Sequence, residues 1–452
     1  MSPWCAHLNE FGTRPALIVG EQTHTYAQLV AAIAQDKQAL AKIIQPGQVV
    51  AVLSDYHFAA ISVFFALSEL KAVIVPIVAG TPDAVAQKCQ VAQVDWVVQF
   101  SEQAPHQWRI DPSGPSGTDH KHDLIEQLQA TQQPGLVLFS SGSTGVPKAM
   151  VHNLARLMQP LRHKKTKRLN MLVFLMFDHI GGLNTLLNSL AMGAKVVLVQ
   201  SRAPLAVAAL IEQHHIHVLP ASPTFLNLLL MAKAPQKYDL SSLKLVTYGT
   251  EPMPASLLAR LRAAFPKTKM LQTFGTSETG IAQTQSRDSG SLAFKLTDPH
   301  VQSKVVDGEL WLKTDTQILG YLNAPMTAFN DEGWFKTGDW VEELADGYVQ
   351  VKGRLKEIIN VGGEKVLPSE VESVLFEMPE IEDASVYPET NAITGQMVAA
   401  EVVLTPGVRP EIVKTQIRQY CVQRLARYKV PAKLVFVSQT HFSDRFKKQR
   451  LA

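Results

Sequence analysis

The feature that most constrains the fold is a series of short, nearly unbroken apolar runs, each separated from the next by residues with helical periodicity. The runs are VVAVLSD (49–55), AVIVPIVA (72–79), WVVQF (96–100), MLVFLMF (171–177), KVVLVQ (195–200) and LKLVTYG (243–249). A strand with one wet face alternates apolar and polar residues; these do not, so both faces are predicted to be covered. Between them, TYAQLVAAIAQDKQALAKII, PLAVAALIEQHHI and MPASLLARLRAAF repeat apolar residues at helical spacing. Strands alternating with helices predict a large α/β N-terminal domain with parallel-type sheets. The most apolar long window, ISVFFALSELKAVIVPIVAG (61–80), carries Glu69 and Lys71 and reads as helix then strand, so no membrane span is expected.

From about residue 300 the texture changes. GELWLKT and GYVQVKG, then ASVYPE, MVAAEVVL and KLVFV, with helices expected at 370–378 and 410–426, predict a small α+β C-terminal domain. The hinge is expected near GRLKEII, dividing the chain into 1–355 and 356–452. A length of 452 residues, 46% apolar and 18% charged, accommodates two cores in a globular protein. The formal charge of +3 argues for neither nucleic acid nor a membrane surface. Cys5, Cys89 and Cys421 lie far apart in no metal or redox spacing, and the opening MSPWCAHLNEFGTRP lacks a basic segment followed by an apolar one. Both point to the cytoplasm.

One stretch departs from this regular pattern. In LVLFSSGSTGVPKAMVHN (136–153), Ser140, Ser141, Gly142, Ser143, Thr144 and Gly145 supply hydroxyls and unobstructed backbone N–H groups, and Lys148 adds a positive charge. Such a loop can wrap anionic oxygens. It is not a Walker A loop, because Pro147 stands five residues after Gly142 where that pattern needs glycine. The bare alternative is a flexible Ser/Gly turn.

The order of its residues resembles the phosphate loop of the adenylate-forming superfamily, which contains acyl- and aryl-CoA synthetases, luciferases and peptide-synthetase adenylation domains. Further segments resemble the family's motifs in the family's order: TFGTSETG (273–280), GELWLKT, GYLNAPMTAF, GWFKTGDW, GRLKEIINVGGEKVLPSEVE and FKKQR. The resemblance implies an ATP-dependent ligase. An acid carboxylate attacks the α-phosphorus of ATP to give an acyl-adenylate and pyrophosphate, and a thiol then takes the acyl group. Two anions meet in the first step, so positive charge and alignment must come from the site.

By the same resemblance, Ser140 to Gly145 and Lys148 hold the phosphates, and Glu278 binds Mg²⁺, a hard cation suited to carboxylate oxygen. Asp339 takes the ribose hydroxyls, joined by Arg354. Phe274, in place of the usual tyrosine, stacks on adenine beside Gly275, Thr276 and Ser277. Gly249 and Thr250, in TYGTEPM, form a wall of the adenine and acid sites, to which ASPTFL (221–226) adds. Lys356 is the hinge, and Gly363 lines the channel for the coenzyme A thiol or a carrier-protein phosphopantetheine. Lys447, three before Arg450, is the adenylation lysine; Phe446 stands where the family has glycine, and Lys448 is the alternative by a one-residue slip. An ordinary basic tail is the bland reading.

In MFDHIGGLN (176–184), His179 gates the acid in the CoA-synthetase register. In the amino-acid-activating register Phe177 is the gate and Asp178 grips an ammonium, and a third possibility makes Asp178 the cap of the following helix. The resemblance therefore favours an acid:CoA ligase for an aryl or medium aliphatic acid. The rivals are a ligase that loads a separate acyl carrier protein, and an adenylate-binding protein without turnover. The sequence ends soon after Lys447, so no fused carrier domain is expected; a homodimer is left open.

Overall fold

The computed structural model describes residues 2–78, 80–101, 107–114, 120–140, 147–443 and 446–450. All six apolar runs become interior strands of two seven-stranded sheets. In one sheet Val49–Leu53, Val73–Ile77, Trp96–Phe100 and Gly135–Phe139 run parallel, and Trp108–Pro112 and Ala149–Asn153 extend it with antiparallel partners. The two-residue strand Gly320–Tyr321 pairs with Ala149–Asn153 at its edge. In the other sheet Lys269–Gln272, Leu245–Tyr248, Val218–Ala221, Asn170–Val173, Lys195–Leu198 and Pro15–Val19 are parallel, with Gln22–Thr25 antiparallel at one edge. Runs buried on both faces thus form the parallel α/β sheets that their composition predicts.

The run at 171–177 is shorter as a strand than its apolarity suggests, ending at Val173. The Phe174 carbonyl accepts from Arg202 Nε at 2.8 Å, and the Phe177 N–H donates to the Asp55 carboxylate at 3.2 Å. Side chains take over the backbone groups there, and the chain turns off the sheet into a helix.

The helix Phe58–Glu69 has ten of its twelve residues buried. Its Phe64 and Phe65 share one core with Val50 and Ile74 of the first sheet and Leu17 and Val196 of the second, together with Leu183 and Leu186 of the helix Ile180–Ala191. A helix apolar all round has to lie between layers, and this core joins the two sheets.

GELWLKT and GYVQVKG fold into a third, antiparallel sheet of six strands, in which Phe335–Glu343 lies between Glu309–Thr314 and Val349–Arg354. A single turn of 3₁₀ helix, Leu355–Glu357, leads out of it. Beyond lies a five-stranded sheet built from Ile359–Val361, Glu364–Val366, Ile381–Asn391, Gly395–Leu404 and Lys433–Phe436. The helices Pro368–Leu375 and Pro410–Arg424 accompany it, and its core of Ile359, Val371, Val386, Val402, Ile417 and Cys421 is separate from the others.

Candidate active site

Asp339 and Arg354 stand opposite each other on neighbouring antiparallel strands. Register alone therefore brings the guanidinium to the carboxylate, with Arg354 Nε 2.9 Å from Asp339 Oδ1. A second donor of the guanidinium reaches the Thr337 carbonyl at 2.8 Å, fixing its plane. Asp339 is 5% exposed. Burial pushes its carboxyl up to about 6, although Arg354 and, next, the Lys447 ammonium oppose the rise. A buried carboxylate with a second oxygen to offer is a two-point acceptor for paired hydroxyls.

The segment 273–280 forms a tight hairpin, Phe274–Thr276 against Gly280–Ala282. A Cβ on Gly275 would come within 2.2 Å of the Gly280 carbonyl oxygen, so only glycine fits. The Thr276 hydroxyl accepts from the N–H groups of Glu278 and Thr279, both at 3.2 Å, and holds the turn that projects Glu278. The Glu278 carboxylate accepts from the Tyr321 hydroxyl at 3.1 Å. Lys148 lies over the same Tyr321 ring, 5.3 Å from its centre. Ser140 and Lys148 close the base of the Ser/Gly loop, with the Ser140 N–H on the Lys148 carbonyl at 3.0 Å. One phenol thus joins the loop lysine to the glutamate from a third part of the chain. Ser141, Gly142, Ser143, Thr144 and Gly145 lie outside the described residues.

Phe274 is buried and stacked on Phe294 at 5.5 Å, and Ser277 sits in the turn beside it. Gly249 has a different reason from ligand access: a Cβ there would come within 2.8 Å of the Thr273 carbonyl oxygen. Next to it Thr250 is held at φ +73°, a left-handed conformation uncommon for a β-branched residue and typical of sites held under constraint.

The cap of the helix Ile180–Ala191 is His179, not Asp178: its Nδ1 accepts from the Gly181 N–H at 3.1 Å. Asp178 is instead buried close to Tyr56, whose hydroxyl is held protonated by burial first and then by the Asp55 and Asp178 charges. Phe177 is fully buried, packed on Tyr56 at 4.6 Å and Phe64 at 5.4 Å. Its ring belongs to the core that joins the two sheets.

The tail at 441–450 folds back on itself, with the Gln449 N–H on the His441 carbonyl and the Ser443 N–H on the Lys447 carbonyl, both at 2.9 Å. Neighbours in this extended piece point opposite ways. Lys448 Nζ reaches Asp383 at 3.2 Å inside the small sheet's module and lies over the Phe376 ring. Arg450 grips Glu372 with two donors, at 3.1 and 2.8 Å, and reaches Glu357 at 2.7 Å. Lys447 faces the other way, toward Asp339, Arg354, Glu357 and Glu251; burial, then the Arg354 charge, depress its affinity for a proton, and the three carboxylates partly restore it.

The segment ASPTFL serves as the platform for this tail. Ser222 caps the helix Pro223–Met231 and donates its hydroxyl to the Phe446 carbonyl at 2.6 Å. Glu251 accepts from the Thr224 N–H at 2.7 Å with one oxygen and from the Lys448 N–H at 3.1 Å with the other. Lys356 is exposed in the linking turn. Gly363 (φ +96°) lies in an exposed hairpin turn with open space where a side chain would be. The structure therefore brings Lys148 and Glu278 together through Tyr321, and Lys447 to Asp339 and Arg354, and leaves Gly363 exposed. Tyr321 and Glu251 were not singled out by sequence, although each sits in a quoted motif, GYLNAP and TYGTEPM.

Residues 6–322 match the family described as AMP-binding enzyme, and residues 370–443 match the AMP-binding enzyme C-terminal domain. The 4-coumarate–CoA ligase-like 5 of Oryza sativa subsp. japonica is 28% identical, over 87% of this chain and 78% of its own length. The indoleacetate–CoA ligase of Aromatoleum aromaticum is 30% identical, over 68% and 64%. For other plant ligase-like relatives the chain spans 61% and 46% of their length. Among solved structures, an anthranilate CoA ligase in complex with anthranoyl-AMP superposes with a TM-score of 0.84 at 21% identity, covering 98% of this chain and 95% of that one. The o-succinylbenzoate CoA synthetase of Bacillus subtilis superposes at 0.75 and 22% identity, covering 100% and 97%. These likenesses agree with the α/β sheets and smaller C-terminal module described above. Among the described residues no helix is long and apolar enough to cross a membrane.

Proposed function

The chain belongs to the family of AMP-binding enzymes, and on that premise we propose that it is an AMP-forming acid–thiol ligase, activating an aryl or medium aliphatic acid with ATP and passing it to coenzyme A. The family and the named CoA ligases support this activity and its need for ATP, Mg²⁺ and coenzyme A. We assign the large domain to 1–355 and the small one to 356–452, with Lys356 as the hinge.

Asp339, steadied by Arg354, binds the ribose hydroxyls. Gly275, Thr276 and Ser277 border the adenine, with Phe274 beneath it and Gly249 and Thr250 along one wall. The loop from Ser140 to Lys148 holds the phosphates, and the ammonium of Lys148 offsets their charge. Glu278 is the cation ligand. Its hard oxygen, kept in place by the Tyr321 hydroxyl, fits Mg²⁺ shared with phosphate oxygens rather than an all-protein cage. When bound, that ion supplies neutralisation of phosphate charge. His179 orients the acid beside the Ile180–Ala191 helix.

Lys447 supplies the charge that the meeting of two anions requires. As the acid oxygen bonds to the α-phosphorus and the bond to pyrophosphate breaks, negative charge grows where the ammonium stands. Transfer follows when the thiol sulfur bonds to the acyl carbon and AMP leaves with the bonding pair. Gly363 serves that second step, after the small domain has turned about Lys356. The observation that carries the reading is the tail geometry. Lys447 reaches toward Asp339 and Arg354 while Lys448 is fastened to Asp383, which favours Lys447 as the adenylation lysine.

The test is pyrophosphate release with a panel of acids, with and without coenzyme A. Release that proceeds to a thioester only with coenzyme A is expected; activity confined to α-amino acids would sink the reading. The buried Asp178 favours a second reading, in which an ammonium-bearing acid is loaded onto a separate acyl carrier protein. A cytoplasmic setting fits the three free cysteines, and a homodimer would be read from sedimentation.

A further inference from the structure

Phe446 occupies the last position before the lysine and adopts φ +51°, where an L-residue meets its own carbonyl and glycine is at ease. A bulky residue persists at such an angle only when its surroundings over-determine it. Here they do. The Phe446 ring lies 5.2 Å from Phe174 and 5.3 Å edge-on to Phe225, and stacks on Phe442 at 5.6 Å. Its carbonyl accepts the Ser222 hydroxyl. Phe174 and Phe225 belong to the core of the large sheet, so a residue of the C-terminal tail is inserted at the edge of the core it docks on.

We propose that Phe446 is a positioning residue, an aromatic anchor that holds the small domain in the orientation presenting Lys447 to the reacting acid and α-phosphate. The left-handed turn sets the direction of the next side chain, and the ring fixes the turn to the large domain. Glycine would allow the same turn without strain but would leave it unattached, so this chain exchanges ease of turning for a bias toward one orientation. The role rests on the ligase reading of the site. It also predicts a loss confined to the adenylation half-reaction, which a merely structural role does not.

The experiment uses the full chain with Phe446→Gly, Phe446→Ala and Phe446→Leu. Single-turnover pyrophosphate release is measured with benzoate, cinnamate and octanoate, and thioester formation with the corresponding supplied acyl-adenylates and coenzyme A. Phe446→Gly is expected to slow adenylation about tenfold, the scale of losing a pair of aromatic contacts, with thioester formation unchanged or faster. Phe446→Ala, which loses the ring and keeps the strain, should be slower still, and Phe446→Leu should rescue part of the rate. Hydrogen exchange without any ligand gives the readout independent of activity: amides of Phe225, Lys448 and Gln449 should exchange several-fold faster in Phe446→Gly.

Unchanged exchange, or equal loss in both half-reactions, overturns the positioning role while leaving the ligase reading intact. Wild-type protein that releases no pyrophosphate with any acid of the panel sinks the ligase reading, and the positioning role with it.

Discussion

The two halves of the candidate site are built by different means. On the large-domain side, Asp339 and Arg354 are register partners in a sheet, and Glu278 is set by a hairpin whose glycine tolerates no side chain. On the small-domain side, Lys447 is carried by a short folded-back tail, aimed by a left-handed residue and an aromatic contact. Hydrogen-bond ladders fix the first geometry at all times. The second exists only while the tail is docked. A rigid half can hold a nucleotide through both chemical steps, and a detachable half can supply charge to the first step and then withdraw.

The largest effects should come from separating the two adjacent lysines. Lys447→Ala should cut pyrophosphate release about 10²–10³-fold, the cost of losing one preorganised transition-state donor, while thioester formation from supplied adenylate is largely spared. Lys448→Ala should fail differently: Asp383, 6% exposed, loses its cation, and about 3–5 kcal/mol of stability goes with it. Urea unfolding of both variants checks the contrast, and a Lys448→Ala protein of wild-type stability would undo it.

The rigid half should show its strain in pH. Asp339 titrates at about 6 in the fold against 3.8 as the ordinary value. The folded state therefore holds the proton more tightly than the unfolded one. The stability linked to this group is complete below pH 3.8 and is lost as pH rises to about 6, by about 3 kcal/mol. Asp339→Asn should flatten that part of the stability–pH curve while weakening ATP binding, read from urea midpoints and from calorimetry with ATP. An unaltered curve would mean that the carboxylate is not stressed.

Tyr321→Phe probes the link between the two motifs of the large domain. It removes only the hydroxyl that Glu278 accepts, a loss of about 1 kcal/mol. The KM for ATP should rise several-fold with the adenylation rate nearly kept. A fall in rate without a change in KM would assign the phenol to the reacting centre instead.

The same division explains what could be read without a structure. Apolar runs such as VVAVL and KVVLV gave away parallel strands because burial on both faces leaves no polar alternation to confuse. Asp339 and Glu278 were legible because their neighbours, GWFKTGD and TSETG, carry the local geometry that holds them. The helix cap falls on His179 and not on Asp178, which was one of three possibilities, because a His ring can accept an N–H as well as a carboxylate can. Tyr321 and Glu251 went unassigned because their partners lie elsewhere in the chain: 43 residues away for Tyr321 with Glu278, 27 and 197 for Glu251 with Thr224 and Lys448. Phe446 read only as a departure from the resembled glycine because a side chain's value at a left-handed turn depends on what the ring meets across the domain boundary.

The ion pairs of the tail have a consequence for how the protein responds to its medium. Lys448 with Asp383, and Arg450 with Glu372 and Glu357, are all closed within the C-terminal segment. The attachment to the large domain is made by Ser222, Glu251, Asn227 and a phenylalanine ring. Lys447 itself faces an arginine as well as carboxylates. Undocking would leave these ion pairs whole and part mainly Glu251 and Asp339 from the tail cations that face them, and Arg260 from Glu382 and Asp383. Ions screen exposed attractions over about 10 Å at 0.1 M salt, but the tail's own ion pairs close within it and are the same docked or undocked. If the C-terminal segment turns between the two half-reactions, the ratio of their rates should change less from dilute buffer to high salt than nucleotide affinity does.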